Sequence, residues 1–113
     1  QYEPEWILCQ PPTDIHRDHR AIAAAIIRIC QKAAWVGGIL CYEVWTPINA
    51  THVVDITDVL ELKSQAISCH VTALLAGDYS SCILSLNRYR GLYLGFGRYA
   101  EAFRLLKLDG SAC

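Results

Sequence analysis

Six cysteines, Cys9, Cys30, Cys41, Cys69, Cys82 and Cys113, are spread over a chain of 113 residues. Their even number and wide spacing constrain the possible folds more than any other feature. None forms the close Cys-x-x-Cys pair of a zinc knuckle or a thioredoxin-like centre. Three disulfides account for all six, with the pairing left open by spacing alone, and the alternative is a cytosolic protein with buried free thiols. Bridges at Cys9 and at the terminal Cys113 would tether chain ends that otherwise fray. Disulfides persist in oxidising compartments, so the cysteines predict a secreted, extracellular protein. A domain this small buries a limited share of its surface, and covalent staples would add to its margin.

Two further features fit secretion. The chain begins at Gln1, as expected once a signal peptide has been removed. Asn49-Ala50-Thr51 is an acceptor for N-linked glycosylation, placed after Pro47 in a predicted loop. With 53% hydrophobic and 19% charged residues, the composition argues against a disordered chain. The length predicts one globular domain over 1–113 and excludes most multi-domain enzymes and large cofactor folds. No apolar run is long enough to span a membrane, since residues 21–27 are followed by Arg28 and Lys32.

Local patterns give an element order. Residues 5–9 read as a short strand ended by Pro11 and Pro12. Residues 13–34 read as a helix capped by Thr13 or Asp14, with Ile22, Ala25, Ile26, Ile29, Cys30 and Ala33 on one face. Residues 39–45 are apolar on both faces, the pattern of an inner strand, and Glu43 there needs a partner if buried. After a turn at 47–50, residues 51–56 read as another strand. Asp58 and Glu61 have capping-box spacing for a helix over 58–76, with Leu62, Ala66, Cys69, Ala73 and Ala76 in its stripe and Gly77 at its end. Residues 81–86 and 92–96 read as a hairpin around 87–91, and residues 98–108 fit either a short helix or a last strand. This order predicts an α+β fold, a ferredoxin-like two-layer α/β sandwich with an antiparallel sheet, two main helices and disulfide staples.

With helices at 14–34 and 58–76 and strands carrying Cys9, Cys41 and Cys82, the chain resembles small secreted fungal killer toxins and related cysteine-rich effector proteins with compact α/β sandwich folds. The resemblance spans most of the chain as architecture and brings no catalytic residue with it. It implies secretion and action on another cell.

Catalytic signals are sparse. His16, His19, His52 and His70 form no His-Glu-x-x-His motif, and neither a metal nor a cofactor is predicted. His16 and His19 read as a solvated helix surface. An enzymatic alternative, a small secreted ribonuclease, would need His52, Glu43 and Arg88 to meet across a sheet, with the histidine and the carboxylate moving protons at the 2′-hydroxyl and the leaving oxygen. No nucleophile elbow surrounds any serine, and the glycine-rich segment 91–97 does not match a phosphate-binding loop.

Charge is more informative. The net charge is −1, but residues 1–61 hold eight acids against four bases, whereas residues 62–113 hold three acids against six bases. Between positions 88 and 107, Arg88, Arg90, Arg98, Arg104 and Lys107 accompany Glu101 alone, interleaved with Tyr89, Tyr93, Phe96, Tyr99 and Phe103. Arginines engage phosphates and carboxylates while aromatic rings supply apolar area. Arg88, Tyr89, Arg90, Tyr93 and Arg98 are therefore the predicted contact residues. The expected partner is a protein or another cell-surface component, with a membrane surface satisfying the same electrostatics. Nucleic acid is disfavoured by the near-neutral total. The leading expectation is a secreted, non-enzymatic interaction protein, a killer toxin or effector that binds a target-cell surface component. A third reading, a structural subunit of a larger toxin or a homo-oligomer, would use an apolar patch around Trp6, Trp35 and Trp45.

Overall fold

A computed structural model describes residues 4–33, 35 and 37–106. In chain order the elements are β1 (Trp6–Cys9), α1 (Arg17–Lys32), β2 (Gly38–Tyr42), β3 (His52–Asp55), a 3-10 turn (Thr57–Val59), α2 (Leu60–Ser68), α3 (Val71–Ala76), α4 (Tyr79–Gly91) and β4 (Ala100–Leu106). The sheet order is β1-β2-β4-β3. β1 runs parallel to β2, pairing Trp6 with Gly38 and Cys9 with Cys41, and β2 runs antiparallel to β4.

This mixed sheet with four described helices corrects the expected ferredoxin-like antiparallel sandwich with two. The physical reason lies in α1. A strand-helix-strand crossover returns the chain in the same direction, and here its two strands pair directly, with no antiparallel strand between them.

The described residues fall into two compact units, 4–52 with 103–106 and 53–102, the chain passing between them within β3 and within β4. In the first unit β2 ends at Tyr42 rather than at 45, with Ile39 and Cys41 buried and Gly38, Leu40 and Tyr42 half-buried. Cys9, Cys30, Ile39 and Cys41 form the core, with Ile7, Ile26, Ile27, Trp35 and Leu106 packed on it. α1 buries Ala23 and Cys30, whose small side chains permit close packing, whereas Ile22 and Ile29 of the expected stripe are exposed. α1 also starts later than expected. Its N-cap is His16, whose Nδ1 accepts from the Asp18 amide at 3.3 Å.

No disulfide forms among the described residues. Cys9 and Cys41 sit side by side in the β1–β2 pair, but their sulfurs are 3.9 Å apart, against about 2.05 Å for a disulfide. They interact as hydrogen-bonded thiols, and Cys41 also donates to the Gln10 carbonyl at 3.7 Å. Cys30 is a third buried thiol, Cys69 and Cys82 are exposed thiols, and Cys113 lies outside the described residues. The expected disulfide framework is thereby corrected, and the argument for secretion built on it goes with it. Buried thiols serve this core as small apolar side chains.

In the second unit the helix expected over 58–76 is broken. The Asp58–Glu61 capping box is not made, and neither the 3-10 turn nor α2 has a side-chain cap. Ahead of the 3-10 turn, Asp55 Oδ1 accepts from the Thr57 amide at 2.9 Å. At the far end of α2 the Ser68 hydroxyl and the Cys69 thiol both donate to the Gln65 carbonyl, at 2.6 and 3.5 Å. Such side-chain bonds compete with the helical ladder, and the chain restarts as α3 after His70.

The expected hairpin around 87–91 is replaced by α4. Asp78 caps it by accepting from the Ser81 amide at 3.1 Å, and its fully buried positions, Asn87, Arg90 and Gly91, follow a helical period. The apolar run at 82–86 is too short to separate strand from helix by alternation alone. Residues 100–106 resolve as β4, with Ala100 and Ala102 buried.

Candidate interaction surface

The end of α4 is shaped by one contact. The backbone of Gly91 lies against the Arg98 carbonyl so closely that a Cβ at position 91 would collide with it. This contact closes residues 92–97 into a loop. The amides of its first four residues bond within the turn: Leu92 donates to the Tyr89 carbonyl (3.1 Å), Tyr93 to Arg90 (3.2 Å), and Leu94 and Gly95 to Gly91 (2.9 and 3.0 Å), while Arg98 donates to Gly95 (3.3 Å). Gly97 has φ +84°, which an L side chain adopts only with strain. No atom lies within 4 Å of where a Cβ would stand on Gly95 or Gly97. Leu92, Tyr93 and Leu94 are exposed, and Phe96 is 97% exposed.

Arginines flank the loop. Arg88 donates to the Tyr99 hydroxyl at 2.9 Å, with its guanidinium carbon 5.4 Å from the centre of the Tyr99 ring. Tyr99 is fixed by its backbone, its amide donating to Thr57 Oγ1 at 3.0 Å and its carbonyl accepting from Ile56 at 2.9 Å. Arg98 pairs with Asp55 at 3.0 Å. Hydrogen bonds from the Thr57 hydroxyl and amide hold the Asp55 carboxyl below its usual range, and Arg98 adds to this.

Of the five predicted contact residues, Arg88, Tyr89, Tyr93 and Arg98 are exposed at this end of α4 and its loop. Arg90 is not, being only 6% exposed, with its guanidinium carbon 6.0 Å from the centre of the Tyr89 ring. Leu92, Leu94 and Phe96 belong to the surface but lay outside the predicted contact set. Their signal was an apolar segment framed by glycines with no acid from 79 to 100.

The ribonuclease residues are engaged locally. Glu43 is half-buried, its Oε1 accepting from the Ile48 amide at 2.9 Å, which answers the need for a partner. His52 Nδ1 stands 2.8 Å from the Thr51 hydroxyl. Glu43 and His52 belong to the first unit, and Arg88 to the second.

A second cluster stands at the start of α1. Asp14 is fully buried, its Oδ1 accepting from the His16 amide at 2.7 Å with His19 Nδ1 3.5 Å away. Asp14 Oδ2 and His19 Nδ1 have no hydrogen-bond partner. The His16 and His19 rings stack at 4.6 Å, and the Arg20 guanidinium donates to the Asp14 and Ile15 carbonyls, both at 2.8 Å. His16 is exposed, as expected of a solvated helix surface, but His19 is half-buried. Among the described residues no three His, Cys, Asp or Glu side chains are placed to hold a metal ion.

Trp6 and Trp45 lie toward opposite ends of β2. Trp6 is 53% and Trp45 48% exposed, but the register pairs Trp6 with the first residue of β2, whereas Trp45 follows its last. Trp35 is half-buried and donates from Nε1 to the Pro4 carbonyl at 2.9 Å. Asn49 is exposed.

No protein-family model, curated protein or solved structure matches the chain. The description as a disulfide-bonded secreted toxin or effector is therefore corrected. No disulfide joins the described cysteines, and no match supports that identity.

Proposed function

We propose that this chain is a non-enzymatic interaction protein whose contact surface is the end of α4 and the loop 92–97. The observation that carries this reading is Phe96, 97% exposed on a loop whose residues 92–95 are hydrogen-bonded within the turn and which Arg88 and Arg98 flank in the chain. An ordered loop that leaves large apolar side chains in water gains most when a partner covers them. Each apolar side chain taken from water contributes about 1.5–3 kcal/mol. A surface arginine pairing with an anion contributes about 1 kcal/mol or less. The apolar loop therefore supplies the larger part of the affinity, and the arginines favour a partner that carries phosphates or carboxylates.

The test uses two supports. The intact protein, despite its net charge of −1, is expected to be retained on phosphocellulose at low salt, and Arg88→Ala with Arg98→Ala to flow through. It is also expected to be retained on phenyl-agarose, with Phe96→Ser eluting early. Equal retention of wild type and variants on both supports would remove this surface from consideration.

A further inference from the structure

We infer that the loop 92–97 inserts into the interfacial layer of an anionic lipid bilayer, with Arg88 at the lipid phosphates. This rests on the contact surface proposed above and names its partner. Four observations converge on a bilayer.

First, Leu92, Tyr93, Leu94 and Phe96 are exposed, and no charged side chain stands between Arg90 and Arg98. Second, the amides of Leu92, Tyr93, Leu94 and Gly95 already bond to carbonyls of the same turn. An apolar medium penalises every unpaired amide, so this pairing reduces the backbone hydration that these four residues lose on insertion. Third, Tyr89 precedes the aliphatic residues and Tyr93 stands between Leu92 and Leu94, and amphipathic rings of this kind settle at the headgroup level. Fourth, Arg88 is exposed beside the loop and the one carboxylate shown at this end, Asp55, is paired with Arg98, which leaves Arg88 to complement a negatively charged leaflet.

A protein partner would need directional groups to set its register, and within 92–97 the Tyr93 hydroxyl is the one polar side-chain group. A bilayer needs none. No helix among the described residues is long and apolar enough to cross a membrane, so the attachment is shallow and from one side.

Vesicle flotation tests this. With phosphatidylcholine vesicles containing about one-third phosphatidylglycerol, wild type is expected to float. Phe96→Ser is expected to partition about tenfold more weakly, and Arg88→Ala about fivefold. Phe96 is nearly free of contacts, so Phe96→Ser should keep the wild-type far-ultraviolet spectrum, separating lost insertion from lost fold. A Phe96→Trp variant should be quenched by bromine on the upper acyl chain beyond the quenching of Trp6, Trp35 and Trp45 in wild type.

Failure of wild type to float, flotation of Phe96→Ser equal to wild type, or binding of soluble glycerophosphate without flotation overturns the inference. If flotation fails while variant-sensitive retention on phosphocellulose and phenyl-agarose persists, the contact surface stands and the bilayer falls. If both assays fail, both readings fall.

Discussion

Gly91 touches the Arg98 carbonyl backbone to backbone, and this contact lets the chain leave α4, expose an apolar loop and return to β4. The contact is steric, so the side chain of one residue, absent in glycine, decides it. Gly91→Ala is expected to lower stability by about 1–3 kcal/mol, the usual cost of forcing atoms into a filled site. Urea denaturation measures the loss. Amide exchange should accelerate at Leu94 and Gly95, which both donate to the Gly91 carbonyl. Unchanged stability and unchanged exchange at these two amides would show that the loop is not closed by this contact.

The buried carboxylate of Asp14 organises the approach to α1. Asp14→Ala removes the acceptor for the His16 amide and should cost about 1–3 kcal/mol. Asp14→Asn keeps a carbonyl oxygen for that amide and should cost less. Thermal melts of the two variants rank them, and an alanine variant as stable as the asparagine variant would contradict a role for this hydrogen bond.

The five described cysteines are expected to behave as thiols. Iodoacetamide under native conditions should label Cys69 and Cys82 first, and Cys9, Cys30 and Cys41 only after unfolding. Mass spectrometry of the labelled peptides reads this directly, and early labelling of Cys9 or Cys41 would count against their burial.

The same thiols carry a pH dependence. The hydrogen bond with Cys9 and burial push the Cys41 thiol well above its ordinary range, while the hydrogen bond with Cys41 lowers Cys9. Above about pH 8.5 the unfolded chain releases both protons while the native pair retains the one on Cys41. The native state then binds more protons, so stability falls as pH rises. Tyr42, raised by burial and by Cys9, steepens the fall at higher pH. Cys41→Ala should flatten the slope, and a wild-type stability profile flat to pH 10 would sink this account.

At the acidic end Asp55 has the opposite sign. Its carboxyl is held low by the Thr57 hydroxyl and amide, then by Arg98. Its contribution is fully present above about pH 3.9 and is lost as pH falls through the lower native value. Asp55→Asn should remove this term and speed exchange of the Thr57 amide. The Asp55 carboxyl, followed by carbon-detected titration, should protonate below the ordinary aspartate range; a midpoint at or above that range would contradict the hydrogen-bond geometry.

Much of the local organisation was legible. Pro11 and Pro12 bound β1, the apolar run beginning at Ile39 marks β2, and the acid-poor arginine-aromatic segment contains the exposed loop 92–97. These are short-range features, set by backbone dihedrals and side-chain period. Whether thiols bond, which strands pair and in which direction depend on groups far apart in sequence, and spacing does not report their separation. Cys9 and Cys41, adjacent across two strands yet unbonded, illustrate this.

Arg88 and Arg90 show the boundary most clearly. The sequence alone determines that two arginines, interleaved with tyrosine, stand in an acid-free segment. At the exposed turn of the expected hairpin, both would reach a partner. In a helix they diverge by about 200°, so one points out as the other points in. Only the tertiary structure, by capping α4 at Asp78 and packing Gly91 against Arg98, decided that Arg88 is exposed and Arg90 is buried.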